Sequence, residues 1–521
     1  MATGRELPIN ERASAFQMAE TIFADDVQVV SASYSGDRDS SGIYTNGDSV
    51  MPGVAPGNTG VILSTGDADD ITQSNGDPNR SSSTSTNTWG QNGNPDFNAA
   101  AGAYTYDASY LDVDIIPQGD VLTFQFVFLS EEFPEYQTGI YQDFVGIWIN
   151  GELVPLSIGD GDVDPNNLNA QSNANLYVDN TGDDYNTEMD GFTVTMSVTI
   201  PVNAGEVNSI RIGIADVNDS NYDSSVMIAA GSGTTAIVAM ADSAQVAPNE
   251  NATFDVTSND IGTGAITITH INGIAVSVGD SVTLTTGQVI TLNADGTLTA
   301  TADADEETVN FTYTVQDATG GTSTGFVTLA SVPCFVAGSV IDTSHGPRLV
   351  ESLKPGDLIR TKDHGLQPLR WIGTRTIAAE GDMAPIEIAA NTFGPHMRLQ
   401  VSPMHRILVR DGRAALMFGE NEVLIAAKHL VDGQYVRRIE GGEVTYVHLL
   451  FDAHEIVFSN GLPSESFLPG PMIASLFERE VLAEICTLFP ELDPETGEGY
   501  GPAARRILTG SEARALTGVA A

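Results

Sequence analysis

Short apolar runs recur along the first half of the chain, each closed by Gly, Asn or Asp. Thr123-Phe124-Gln125-Phe126-Val127-Phe128, Phe144-Val145-Gly146-Ile147-Trp148-Ile149, Phe192–Ile200 and Ile210–Ile214 are the clearest. Runs of this length rich in Phe, Val and Ile predict β-strands joined by tight turns, and several in succession predict a β-sandwich. Near the start, Ala13, Phe16, Ala19, Ile22 and Phe23 fall at helical spacing, and Asn10 is placed to cap that helix. Residues 64–98 break the pattern. They include SSSTSTNTWGQNGN and read as a long loop or a partly disordered insertion.

Strand and turn signals return over 236–332, at Asp242-Ser243-Ala244, Val256–Asp260, Asn293–Leu298 and Phe311–Asp317, and predict a second all-β unit. After Cys334, short strands are separated by turns at Gly338 and Gly346 and by Leu353-Lys354-Pro355-Gly356-Asp357. Residues 471–521 read as helices, MIASLFEREVLAEICTLF, then AARRILTG and SEARALTG. Cys486 lies on the amphipathic helix Ile473–Leu488 and reads as a small buried hydrophobe. The expected fold is mainly β, with segments at 8–232, 236–332 and 334–470 and a helical extension at 471–521. A chain of 521 residues is too long for one core.

Charge divides the chain at the same place as the pattern. Residues 1–333 hold five arginines, no lysine, no cysteine and 45 acidic residues, for a net charge of −40. From 334 onward, 17 Lys and Arg face 24 Asp and Glu, for a net −7, with both cysteines and seven of the eight histidines. Such a field repels nucleic acid and anionic membranes and favours divalent cations. Two cysteines build no disulfide framework. The start, Met1-Ala2-Thr3-Gly4-Arg5-Glu6-Leu7, lacks the basic and apolar regions of a cleaved signal peptide, and no run is long enough to span a bilayer. A lysine-free, Asp/Asn/Gly/Thr-rich half points to an extracellular or cell-surface bacterial protein exported without an N-terminal signal.

Candidate metal ligands lie in the acidic half. Asp160-Gly161-Asp162-Val163-Asp164-Pro165 begins like a calcium loop, with oxygen ligands at alternate positions. Pro165 replaces the turn glycine, and Gln171 stands where a bidentate Glu is needed, so an EF-hand is not expected. A looser Ca²⁺ site is expected from Asp160, Asp162 and Asp164, or from Asp216, Asp219 and Asp223. The alternative is a solvated acidic loop. A zinc site from His396, His405, His448 and His454 lacks tight ligand spacing. His345, His364 and His429 read as surface or turn residues.

Four segments carry a first resemblance. Val61-Ile62-Leu63-Ser64-Thr65-Gly66, Ser130-Glu131-Glu132-Phe133-Pro134-Glu135-Tyr136, Ile214-Ala215-Asp216 and Tyr222-Asp223-Ser224-Ser225-Val226 occur in that order. The set resembles the choice-of-anchor L domain of bacterial surface and secreted proteins, which implies surface location. Residues 236–332 resemble the cadherin-like immunoglobulin-type modules of bacterial adhesins, which implies a spacer.

From Cys334, the blocks CFVAGSVIDTSHGPRLVESLKPGDLIRT, Leu399–Leu408, Ala427-Lys428-His429-Leu430 and Tyr446–Gly461 resemble the Hint (hedgehog/intein) fold. The resemblance implies autoprocessing that needs no cofactor. A thiol next to a scissile carbonyl attacks it with the advantage of proximity, which places Cys334 against the Pro333 carbonyl. Pro333 fixes its own φ and helps aim that carbonyl. The family's Thr-x-x-His block implies that Ser402 orients the amide and His405 protonates the leaving nitrogen. Asp452 and His454 are expected to assist proton movement. Asn460-Gly461 is followed by Leu462-Pro463, with no His-Asn pair, so splicing is not expected. One break is expected, with the thioester taken by water, an external nucleophile or a cell-surface acceptor. The rival reading is a structural calcium-binding adhesin with an inactive Hint domain, holding a glycan, matrix or cell-surface ligand.

Overall fold

A computed structural model describes residues 2–88, 90–137, 139–156, 158, 161–244, 246, 251–302, 309–329, 334–379 and 384–468. It also describes 489, 500–501, 503–508, 512–513 and 516. Pro333, Asp160 and the helix expected at Ile473–Leu488, with Cys486, lie outside the described residues. The chain divides into two compact units. One comprises residues 1–242, 255–299 and 309–328, and the other 243–254, 300–308 and 329–521.

Residues 1–242 of the first unit are built on two antiparallel sheets. The larger runs through Ser41–Thr45, Thr59–Ser64, Ser224–Ala229 and Val121–Ser130. The other orders Val27–Ser35, Thr105–Pro117, Asn208–Val217 and Phe144–Ile149. Alternation sets the faces. Leu111, Val113 and Ile115 pack inward with Ile210, Ile212 and Ile214 against Phe124, Phe126 and Phe128. Val127 and Leu129 point the other way, into a second core with Leu7, Tyr44, Met51, Ile71 and Phe192. That strand is buried on both faces, which explains its unbroken apolar run. The N-terminal helix is Ala15–Ile22, and its cap is Ser14, not Asn10. Ser14 and Gln17 form a reciprocal capping box.

The tract expected as a loose loop is organised. Glu188 accepts the N–H groups of Arg80 and Ser81 at 3.1 and 3.2 Å. Glu131 accepts from Thr84 at 3.2 Å, and Asp223 accepts from Thr86 with both oxygens at 3.0 and 2.8 Å. Buried carboxylates thus supply the partners that a polar strand-free segment lacks. Pro95–Ala101 forms a short helix capped by Asn94. Within 255–328, Thr267–Ile271 pairs with Val309–Gln316. The buried Tyr313 hydroxyl there lies 2.8–2.9 Å from Met240 O, Val256 O and Asp260 Oδ1.

The second unit also holds two sheets. A six-stranded sheet is ordered Trp371–Ala378, Glu443–Leu450, Phe335–Val336, Leu399–Val401, Ile386–Ile388 and Val436–Arg438. The other includes Val340–Thr343, Leu358–Thr361, Ile456–Ser459, Leu462–Glu465 and Arg406–Val409. Gly346 opens the hairpin return at φ +94°, where a side chain would be strained. Phe335, Ile341, Ile359, Val401, Ile407, Val447 and Val457 share one core. No helix among the described residues is long and apolar enough to cross a membrane.

Candidate functional site

Strand register assembles the site around Cys334. Phe335–Val336 is flanked by Leu399–Val401 on one edge and Glu443–Leu450 on the other. Phe335 pairs with Val401 on the first side and with Val447 on the second. One step back along both antiparallel ladders sets Cys334 opposite Ser402 and opposite His448. The contacts follow. The Cys334 N–H donates to Ser402 Oγ at 2.8 Å, and the Ser402 N–H donates to Cys334 O at 3.0 Å. Cys334 Sγ lies 3.4 Å from His448 Nε2 and 3.5 Å from Nδ1. The thiol is 6% exposed and packs among Val336, Ala379, Val444 and Tyr446.

Ser402 begins a turn through Pro403 that closes with the His405 N–H on Ser402 O at 3.0 Å. The turn places the His405 ring edge-on to Phe335, centroids 4.4 Å apart. His405 is fully buried, and neither ring nitrogen has a hydrogen-bond partner among the described residues. Burial pushes its pKa down to about 4, against the opposing pull of Glu465. Such a lowered value leaves a neutral imidazole at neutral pH, with neither nitrogen engaged among the described residues.

Behind the turn lies a buried ionic group. Glu465 accepts from the Arg406 N–H at 2.7 Å and from its guanidinium at 2.9 Å. His454 Nε2 stands 3.3 Å from Glu465, and His454 Nδ1 accepts the Ala504 N–H at 3.0 Å. Burial opposes ionisation of Glu465, yet the Arg406 charge and the His454 bond hold its carboxyl below the usual range. His454 and Arg406, the residue after His405, thus both face Glu465. Asp452 is more than half exposed and pairs with Arg370 at 3.1 Å. The structure does not bring Asp452 to the thiol; His448 stands there instead. Nothing in the sequence gave His448 that role, because only long-range pairing shows that it faces Cys334.

Two further histidines are engaged away from the thiol. His396 Nδ1 bonds Met397 O at 2.6 Å, and His364 pairs with Glu455 at 2.9 Å. Among the described residues no three His, Cys, Asp or Glu side chains group to hold a metal ion. In the acidic half, Asp164 accepts the Asn167 N–H at 2.8 Å. The carbonyl oxygens of that loop are taken by side-chain amides: Asn167 donates to Asp162 O, Asn169 to Pro165 O and Asn173 to Asn167 O. Asp219 accepts from the Asn221 N–H, while Asp216 and Asp223 are buried. These candidates do not converge as one set.

Family models match three stretches of the chain. Residues 333–471 match the Hint domain model. They form a Hint domain. Residues 8–234 match the choice-of-anchor L domain, which points to a surface-associated protein, and 234–330 match a bacterial Ig domain. No curated protein matches the chain. Among solved structures, the gp41-1 intein aligns at 8% identity over 26% of this chain and 98% of its own, with a TM-score of 0.18. Bacteroides ovatus SGBP-B in complex with a mixed-linkage heptasaccharide aligns at 10% identity over 62% of this chain and 89% of its own, TM-score 0.13. TM-scores this low establish no shared fold. The Hint domain here rests on the family match and on the geometry around Cys334.

Proposed function

We propose that the Hint domain breaks the Pro333–Cys334 bond through a thioester on Cys334. The observation that carries this reading is the thiol lodged between two opposed groups, His448 at its sulfur and Ser402 at its amide nitrogen. The thiolate is the nucleophile, and His448 is the group in reach of the thiol proton. The sulfur then attacks the neighbouring carbonyl. The hydrogen bond accepted by Ser402 Oγ leaves electron density on the amide nitrogen and favours its protonation as the C–N bond breaks. The proton returns from the His448 imidazolium, with His405 as a neutral relay that accepts and donates within the step. Arg406, Glu465 and His454 hold the turn that carries Ser402 and His405.

The product is an N-terminal acyl group on sulfur, released by water or passed to an external amine or hydroxyl. The protein acts once on itself rather than as a turnover enzyme. A surface-displayed bacterial protein so built would shed or hand on its choice-of-anchor L and Ig portions. Two variants test the assignment. His448→Ala should slow the break by roughly 10²–10⁴-fold, the usual worth of a positioned acid–base group. Asp452→Ala should leave its rate near wild type. The reverse order of effects would overturn the role given to His448.

A further inference from the structure

Residues 503–508 lie past the stretch that matches the Hint domain model, yet they dock on it. The strand Val423–Ala426 is the last in its sheet, beyond Arg406–Val409. An edge strand otherwise leaves a row of backbone groups unpaired. Here the Leu424 N–H donates to Arg506 O at 2.8 Å, and the Leu508 N–H donates to Leu424 O at 2.9 Å. Leu508 joins the core that also holds Phe335 and Ile407. At the rim, Arg505 pairs with Glu422 at 3.0 Å and with Asp363 at 2.8 Å.

These contacts converge on one peptide group of the site, the one between His405 and Arg406. Its carbonyl oxygen accepts the Ala427 N–H at 3.0 Å, and its N–H donates to Glu465 at 2.7 Å. Each of the two holders is backed by residues 503–508. Ala427 directly continues the strand that Arg506 and Leu508 pair with, and the next residue, Lys428, donates its N–H to Pro403 O at 2.9 Å. Glu465 faces His454 at 3.3 Å, and His454 Nδ1 accepts the Ala504 N–H at 3.0 Å. Accepting that bond takes a lone pair on Nδ1, so a neutral His454 carries its proton on Nε2, toward Glu465.

The His405 ring depends on such support. Neither of its nitrogens has a hydrogen-bond partner among the described residues. Its aim is therefore set by the backbone that carries it and by the Phe335 ring 4.4 Å away. We infer that residues 503–508 are a positioning element of the autoprocessing site, fixing the peptide after His405 and so the aim of its ring. The inference rests on the reading of Cys334 as nucleophile and of His405 as relay. Ala504 acts through its main-chain N–H, so proline at this position is the specific way to remove the contact.

The test follows the break at Pro333–Cys334 in full-length chains by intact mass after hydroxylamine, with denaturant unfolding of the Hint domain as the check on folding. Ala504→Pro should slow the break by roughly 10–10²-fold, the worth of a small misplacement of a reacting group. Ala504→Ser keeps the N–H and should break like wild type. The decisive comparison repeats Ala504→Pro in a His405→Ala chain. An element that acts through His405 should add less than about twofold there, because the two changes remove the same interaction. The full slowing in that background would show a merely structural role and overturn the inference. If Ala504→Pro does not fold, Leu508→Ala takes its place in the same cycle, since it keeps every backbone group and only loosens the docked segment. Ala504→Pro breaking at the wild-type rate would overturn the inference and leave the reading of Cys334 standing. A wild-type chain that stays whole would overturn both.

Discussion

Glu132 and Glu465 are both fully buried carboxyl groups, one in each unit, and their surroundings drive them in opposite directions. Glu132 lies among aspartates and is pushed well up, first by burial and then by Asp143. Glu465 is equally buried but faces Arg406 and His454, and it is held below the usual carboxylate range. The difference is compositional before it is structural. Residues 1–333 contain no lysine and five arginines, so the first unit has almost no cation of its own to place inside. It satisfies buried polar groups with backbone N–H groups, hydroxyls and Asn amides, whereas the Hint domain uses ion pairs. Burial alone therefore does not decide ionisation; the partner does.

The largest effect should fall on the reactive strand. Cys334→Ala should abolish the break at Pro333–Cys334, read by intact mass, because it removes the thiol proposed to attack that bond. Next comes the buried pair itself. Glu465→Ala leaves the Arg406 charge uncompensated and should cost the Hint domain about 3–5 kcal/mol in denaturant unfolding. Glu132→Gln replaces a carboxyl whose surroundings already hold it protonated, and should not destabilise the first unit. Equal losses from both substitutions would erase the contrast.

The two regions should also respond oppositely to pH. His405 has its pKa lowered to about 4, so its stabilising contribution is complete above about 6.5 and is lost as pH falls toward 4. At the ordinary value of a pKa unit this amounts to at most about 3 kcal/mol. In the first unit, burial pushes Asp242 up to about 8 and Asp260 up to about 6, beside Tyr313, Asn259 and Asp255. Their contribution is complete below about pH 4 and is lost as pH rises through 6 to 8. Unfolding followed from pH 4 to 8 should show the Hint domain gaining and the first unit losing. The smallest effect concerns the neutral strategy of the first unit. Asn173→Ala strips the amide from Asn167 O and should cost about 1 kcal/mol.

Strand runs were legible because apolar alternation is local, and the Hint blocks were legible because their order is linear. Thr123–Phe128 reads as a strand from six residues, and Cys334, Ser402 and His405 stand out by their blocks. What the sequence hid was pairing. His448 becomes a partner of Cys334 only when Val447 lies against Phe335, a contact between residues more than a hundred positions apart. Asp452 looked equivalent but falls beyond the strand's end, where Arg370 takes it. The helix cap moved from Asn10 to Ser14 because Gln17 completes a reciprocal pair that Asn10 cannot. The polar tract at 64–98 gave no sign of order, since its partners are carboxylates 47 to 137 residues away.

The central claim is that Cys334 forms a thioester with the residue before it. The most direct measurement is intact mass of the full-length protein after incubation with hydroxylamine, beside Cys334→Ala. The account predicts two fragments meeting at Pro333–Cys334, the first ending in a hydroxamic acid, and no break in the variant. A wild-type chain that stays whole, or a Cys334→Ala chain that still breaks there, would contradict it.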